Sequence, residues 1–101
     1  MTRIHAKRKG ARNELRTVRH LEALGYRCTK AGGSLGVWDI IAIGTAETLL
    51  VQVKSNRVPA PKERKAMREF AVPPHCHKRL LYVWHDYQRI PEIAEVTDTW
   101  N

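Results

Sequence analysis

The sequence has no apolar run near the ~18 residues that a membrane-spanning helix requires. Nor does an apolar segment follow Met1-Thr2-Arg3-Ile4-His5, as it would in a secretory signal peptide. Only two cysteines occur, Cys28 and Cys76. They cannot make a disulfide framework, and at least partly buried free thiols are expected. No internal repeat and no low-complexity stretch is present. At 101 residues the chain can bury one core but has no room for a second domain. These absences together point to an intracellular protein that does not enter a membrane.

Negative charge is also scarce, and unevenly so. Eighteen Lys and Arg stand against ten Asp and Glu, a formal net charge of +8. Residues 1–30 hold nine of the cations and two acids; residues 31–101 hold nine cations and eight acids. A basic N-terminal third suggests a polyanionic partner, with nucleic acid ahead of an anionic membrane surface. Arg3, Lys7, Arg8, Lys9 and Arg12 would contact phosphates without reading sequence. Lys30, and Lys62 and Lys65 further along, extend the track. The composition, 43% hydrophobic and 28% charged, is that of a globular chain.

Residues 1–9 read as a flexible basic arm, with one domain over 10–101. Gly10 to Leu24 reads as a helix, because Ala11, Leu15, Val18, Leu21 and Leu24 recur at helical spacing and Gly25 ends it. Tyr26 to Ala31 reads as a short strand. Gly32-Gly33-Ser34-Leu35-Gly36 is a loop. Val37 to Ile43 and Thr48 to Lys54 read as strands joined by a turn. Val58-Pro59-Ala60-Pro61 cannot continue inside a sheet. Lys62 to Ala71 reads as a second helix and Arg79 to Trp84 as a strand. Ile93 to Thr97 is open between a strand and a helical turn. The order implies an α/β domain with a mixed central sheet flanked by helices.

The two central strands form a hairpin that is apolar on both faces, as in a covered strand pair. If Ile43 pairs with Thr48, Asp39 falls opposite Gln52 at ~5 Å between Cβ atoms. Lys54 lies two residues beyond Gln52 on the same face. A carboxylate, a carboxamide and an ammonium therefore gather at one end. A one-residue slip of register would separate them. The alternative to a functional role is an Asp39–Lys54 salt bridge, though buried pairs stabilise poorly.

On the first helix, ~100° per residue places Glu14 at the centre of the apolar stripe. An unpaired buried carboxylate is costly. Glu14 either caps the helix N-terminus, pairs with Lys54, or faces the sheet and shares a cation with Asp39. The last reading fits phosphodiester hydrolysis, which needs an activated water and charge stabilisation. Mg²⁺ or Mn²⁺ takes a few carboxylates and other oxygens. Glu14, Asp39, the Gln52 carbonyl and a backbone carbonyl at Val53 would suit, with Lys54 acting on the phosphate.

Asp39, twelve residues, then Gln52-Val53-Lys54 resembles the PD-(D/E)XK motif of restriction-endonuclease-like nucleases. Lys9-Gly10, Glu14-Leu15, Val18 to Gly25, Gly33-Ser34, Asp39 to Ala42 and Val51 to Ser55 resemble Holliday-junction resolvases of the archaeal and viral Hjc type. The likeness covers roughly residues 9–57. It implies a restriction-endonuclease-like core, metal binding by Glu14 and Asp39, catalysis by Lys54 and a contribution from Ser34. It further implies a homodimer that nicks four-way DNA junctions with Mg²⁺ or Mn²⁺. Two departures stand out: Gln52 occupies a position that usually holds Glu, and Trp38 precedes Asp39 where Pro is usual. An amide oxygen can coordinate but adds no charge. A non-catalytic DNA-binding protein on a nuclease fold therefore remains a second reading. A nuclease for flaps, mismatches or plain duplex is a third.

Two weaker signals complete the reading. His75-Cys76-His77 offers three ligands where a structural zinc site normally has four. Tyr82, Trp84, Tyr87 and Trp100 could stack on bases, with core or dimer packing the expectation for Tyr82 and Trp84.

Overall fold

Five strands and two helices arise from these patterns. The computed structural model describes residues 3–73 and 75–101, without the side chains of residues 3–6 and Ser34. In chain order the elements are α1 (Arg3–Ala23), β1 (Arg27–Lys30), a 3₁₀ turn (Gly33–Leu35), β2 (Ile40–Ile43), β3 (Thr48–Ser55), α2 (Pro61–Glu69), β4 (His77–Trp84) and β5 (Glu92–Glu95). The C-terminal ambiguity resolves as a strand.

The sheet order is β1-β2-β3-β4-β5. Only β3 and β4 run parallel; their neighbours pair antiparallel. That single parallel pair follows from chemistry in the linker. Pro59 and Pro61 end the sheet path, and Pro61 starts α2, whose missing N–H costs nothing at a helix start. The chain must then cross over before pairing again. The expected register holds: Ile43 pairs with Thr48 and Ile40 with Val51. Gly44 sits where the turn approaches Tyr26; an added Cβ would lie 2.7 Å from the ring.

The central strands bury both faces, as their two-sided apolarity requires. One face packs Ile40, Ala42, Leu49, Val51, Tyr82 and Trp84 with Leu21 of α1. The other packs Trp38, Leu50, Leu81, Val83 and Val96 with Met67 of α2. Arg79, buried on β4, donates to the Met67, Arg68 and Phe70 carbonyls and ties down the end of α2.

Three expectations need correction. The segment 1–9, read as an arm, is helical from Arg3 onward, and Gly10 lies inside α1 rather than at its start. A glycine costs a helix interior only about 1 kcal/mol, and the packing of α1 on the sheet through Asn13, Thr17 and Leu21 carries the helix through it. The buried face of α1 is also turned by about 60° from the apolar stripe at ~100° per residue. Asn13, Thr17 and Leu21 are buried, whereas Leu15 and Leu24 are 47% and 63% exposed; Ala11 is exposed as well. Asn13 and Thr17 can face the sheet because their polar atoms find partners there. Finally, Cys76 is exposed and only Cys28 is partly covered.

Candidate active site

At one end of the sheet, β1 finishes, β2 begins, β3 and β4 finish, and α2 starts. The polar residues of the hairpin gather at this end. Asp39 lies just before β2. Its N–H donates to the Val51 carbonyl, although Ile40 already pairs with Val51. Two residues thus face one, the signature of a bulge, which re-aims the side chain. The Asp39 carboxylate turns back onto the hairpin and accepts the Val53 N–H at 2.8 Å. The Ala31 N–H donates to the Asp39 carbonyl and holds the preceding loop against it.

Glu14 projects from α1 near Asp39. It sits at the flank of the buried face rather than its centre, and ~3 turns into the helix. It therefore cannot cap the N-terminus. Burial raises its carboxyl above the ordinary range, the Asp39 charge adds to this, and Lys30 opposes it. Burial is also the main cause that raises Asp39; Glu63 pushes the same way, and the Val53 N–H and Lys54 pull it down. Two half-buried carboxylates thus stand close enough for the Asp39 charge to act on Glu14.

Lys54 pairs with neither Asp39 nor Glu14. Its Nζ lies 2.9 Å from Glu63 Oε2 on α2. Glu63 also accepts the Ala60 N–H at 3.3 Å. The lysine bond is the main cause that holds the Glu63 carboxyl below its ordinary value, helped by Ala60 and by the Lys54 and Arg57 charges. Gln52 is 5% exposed and shares its sheet face with Lys54, between Leu50 and the strand end. Beyond it at the end of β3, a cleft of about 370 Å³ is lined by Lys9, Gly10, Val53, Lys54, Ser55, Asn56 and Arg57.

The cations distribute less simply than the sequence suggests. Lys7, Arg8 and Arg12 are exposed on α1, Lys30 at the end of β1, and Lys62 and Lys65 on α2. Lys9 is half-buried and bound to Asp86. The side chains of Arg3 and Ser34 lie outside the described residues. Tyr82 and Trp84 are core residues, Tyr87 is fully exposed, and Trp100 packs against the α2-side core.

Sequence reasoning missed Glu63, Asn13 and Ser55. Asn13 donates to Ser55 Oγ at 2.6 Å and so fastens α1 to the end of β3, next to Lys54. Thr17 accepts Trp84 Nε1 at 2.7 Å one turn on. The spacing of Asn13 and Thr17 was a signal, since polar residues four apart share a helix face. Glu63, two residues after Pro61, had the pattern of a helix-start acid. Nothing in the sequence brings that helix start back to Lys54.

The donor set suits a hard divalent cation in kind. Glu14 and Asp39 are carboxylates whose mutual repulsion a cation would relieve, and Mg²⁺ needs only one or two carboxylates with waters. Among the described residues no three His, Cys, Asp or Glu side chains cluster as a complete metal cage.

Comparison with solved structures gives a clear likeness. The Archaeoglobus fulgidus Hjc structure, a Holliday junction resolvase from an archaeal hyperthermophile, superposes with a TM-score of 0.66 at 18% identity. The match covers 87% of this chain and 73% of that one. The chain therefore shares its fold with that Hjc structure. No family model matches the chain, and no curated protein does. No helix among the described residues is long and apolar enough to cross a membrane.

Proposed function

We propose, from the fold shared with a Holliday junction resolvase, that the chain is a metal-dependent DNA endonuclease selective for branched DNA, acting on four-way junctions as a homodimer. The single observation that supports the reading is a pair of half-buried carboxylates, Glu14 near Asp39, with Asp39 held by the N–H of Val53, the residue before Lys54 at the end of β3. A fold needs no such pair for stability, since each carboxyl is driven above its ordinary range.

Glu14 and Asp39 would hold Mg²⁺ or Mn²⁺, with the Gln52 carbonyl and a Val53 backbone oxygen as neutral donors. The bound cation would supply an activated water and offset charge on the phosphate. The Val53 N–H fixes the rotamer of Asp39. Lys54, charged and close to Asp39, would stabilise the phosphate as negative charge builds. Ser34, on the 3₁₀ turn before β2, is the remaining candidate. The exposed cations of α1 and α2 would bind the arms through their phosphates.

The test is a cleavage assay on a four-way junction, a flap and a linear duplex, with Mg²⁺ and with Mn²⁺. Paired nicks in the junction, lost in Asp39→Ala, are expected. Junctions bound but left whole by the wild-type chain defeat the enzyme reading. Cutting of flap or duplex in preference to junction defeats the substrate.

One observation favours a second reading. Gln52, buried where the resembled motif carries Glu, leaves the site one charge short. A DNA-binding protein without activity would then result, and cleavage appearing only in Gln52→Glu would establish it.

A further inference from the structure

Lys54 has a part in the steps above, but its pairing with Glu63 has none, and that pairing is firmly built. Glu63 Oε2 takes the lysine ammonium at 2.9 Å while Oε1 takes the Ala60 N–H. Pro61 sets the helix start two residues earlier, so the carboxylate is anchored at both ends. The lysine side chain is 15% exposed and its partner 33%, which exceeds what a loose surface pair would bury. A lysine stem loses much rotamer freedom when held in one place. Something must favour that place over the alternatives.

The alternative is nearby. Asp39 is another carboxylate, and it accepts the N–H of Val53, the residue next to Lys54 in the chain, at 2.8 Å. An ammonium released from Glu63 would move towards it, and would then occupy the side of Asp39 that a cation needs. In the structure this does not happen: Asp39 is bound to the Val53 N–H and Lys54 is bound to Glu63.

We propose that Glu63 is a positioning residue that holds the Lys54 ammonium away from Asp39, leaving Asp39 open to the cation and Lys54 aimed at the phosphate. The inference rests on the proposed metal-dependent reaction. It assigns Glu63 no contact with metal or DNA.

A double-mutant cycle read by calorimetry tests it without requiring activity. Mn²⁺ binding is measured for wild type, Glu63→Gln, Glu63→Asp, Lys54→Met and the double variant Lys54→Met/Glu63→Gln, each checked for folding by circular dichroism. Glu63→Gln should weaken Mn²⁺ binding by about tenfold or more, and Glu63→Asp by less. The double variant should return to within about twofold of Lys54→Met. In cleavage, Glu63→Gln should lower kcat by about 10–100-fold, with KM for the junction little changed.

Wild-type Mn²⁺ affinity in Glu63→Gln overturns the inference. So does a double variant as weak as Glu63→Gln, which would make Glu63 a ligand itself. A loss seen only in KM overturns it too, as does unfolding shared by both Glu63 variants. Wild type that binds Mn²⁺ but never cleaves defeats the enzyme reading alone, and the binding cycle still decides the role of Glu63. Wild type that binds no Mn²⁺ overturns both.

Discussion

Burial raises Asp39 above the ordinary aspartate value of 3.8, and Glu14 above the ordinary 4.5. A carboxyl whose folded value is raised binds protons more tightly in the native state than in the unfolded one. Stability then falls as pH rises from the ordinary value through the raised one. At neutral pH both charges work against the fold. Asp39→Asn keeps an oxygen for the Val53 N–H but removes the charge. It should therefore raise the thermal midpoint of the metal-free protein at pH 7, and the gain should vanish below about pH 3.8. The same variant should lose the stabilisation that Mg²⁺ gives wild type by mass action. Differential scanning calorimetry with and without Mg²⁺ reads both effects. A variant less stable than wild type at pH 7 would remove the electrostatic strain from the account. Gln52→Glu should behave in the opposite sense. A third carboxylate at a position only 5% exposed should lower the metal-free midpoint and steepen the response to Mn²⁺.

Along α1, the seam with the sheet is polar for two turns. Asn13 bonds to Ser55, Thr17 accepts from Trp84 Nε1, and Thr17 Oγ1 donates to the Asn13 carbonyl at 2.7 Å. Arg16 lies over the Trp84 ring, 4.1 Å from its centroid. These bonds fix the rotation of α1 and hence the direction of Glu14. Thr17→Val keeps the shape of the side chain but leaves the buried Trp84 N–H without its partner. A loss of about 1–3 kcal/mol is expected in denaturant titration, whereas Thr17→Ser should cost less. A neutral Thr17→Val would mean that the seam is held by packing alone. α2 is held from the far end by Arg79, whose guanidinium gathers three carbonyls and Asp98. One helix thus carries Glu14 and the other Glu63, each locked by polar contacts that periodicity does not reveal.

For the whole molecule, the net charge of +8 is expressed as exposed cations on both helices, flanking the sheet end that holds the carboxylates. DNA affinity should fall steeply with salt, since each phosphate contact releases about 0.9 of a counterion on duplex DNA. Replacing Lys62 and Lys65 with Gln should weaken binding to all DNA alike and reduce the slope of log K against log salt by up to about 2. Fluorescence anisotropy over a salt series measures this. A slope unchanged by the pair of substitutions would place the DNA path away from α2. Asp39→Ala should bind DNA no more weakly, because it removes a negative charge.

The sequence by itself determined the two-sided burial of β3, because runs of branched apolar residues on both faces of a strand pair need cover on both sides. The hairpin register was an assumption at that level, since two apolar faces do not choose between registers; the fold selects Ile43 opposite Thr48 and so sets Gln52 and Lys54 at the end where Asp39 lies. The sequence also marked Glu14 as a misplaced charge. Tertiary structure decided the rest. The rotation of α1 depended on polar side chains whose cost disappears only when the sheet supplies partners, so a hydrophobic stripe could not locate it. The partner of Lys54 depended on where the β3–α2–β4 crossover sets the start of a helix. Asp39 and Lys54 were legible as a pair of opposite charges. That Lys54 would pair with Glu63, and leave the aspartate to a backbone amide, required the fold.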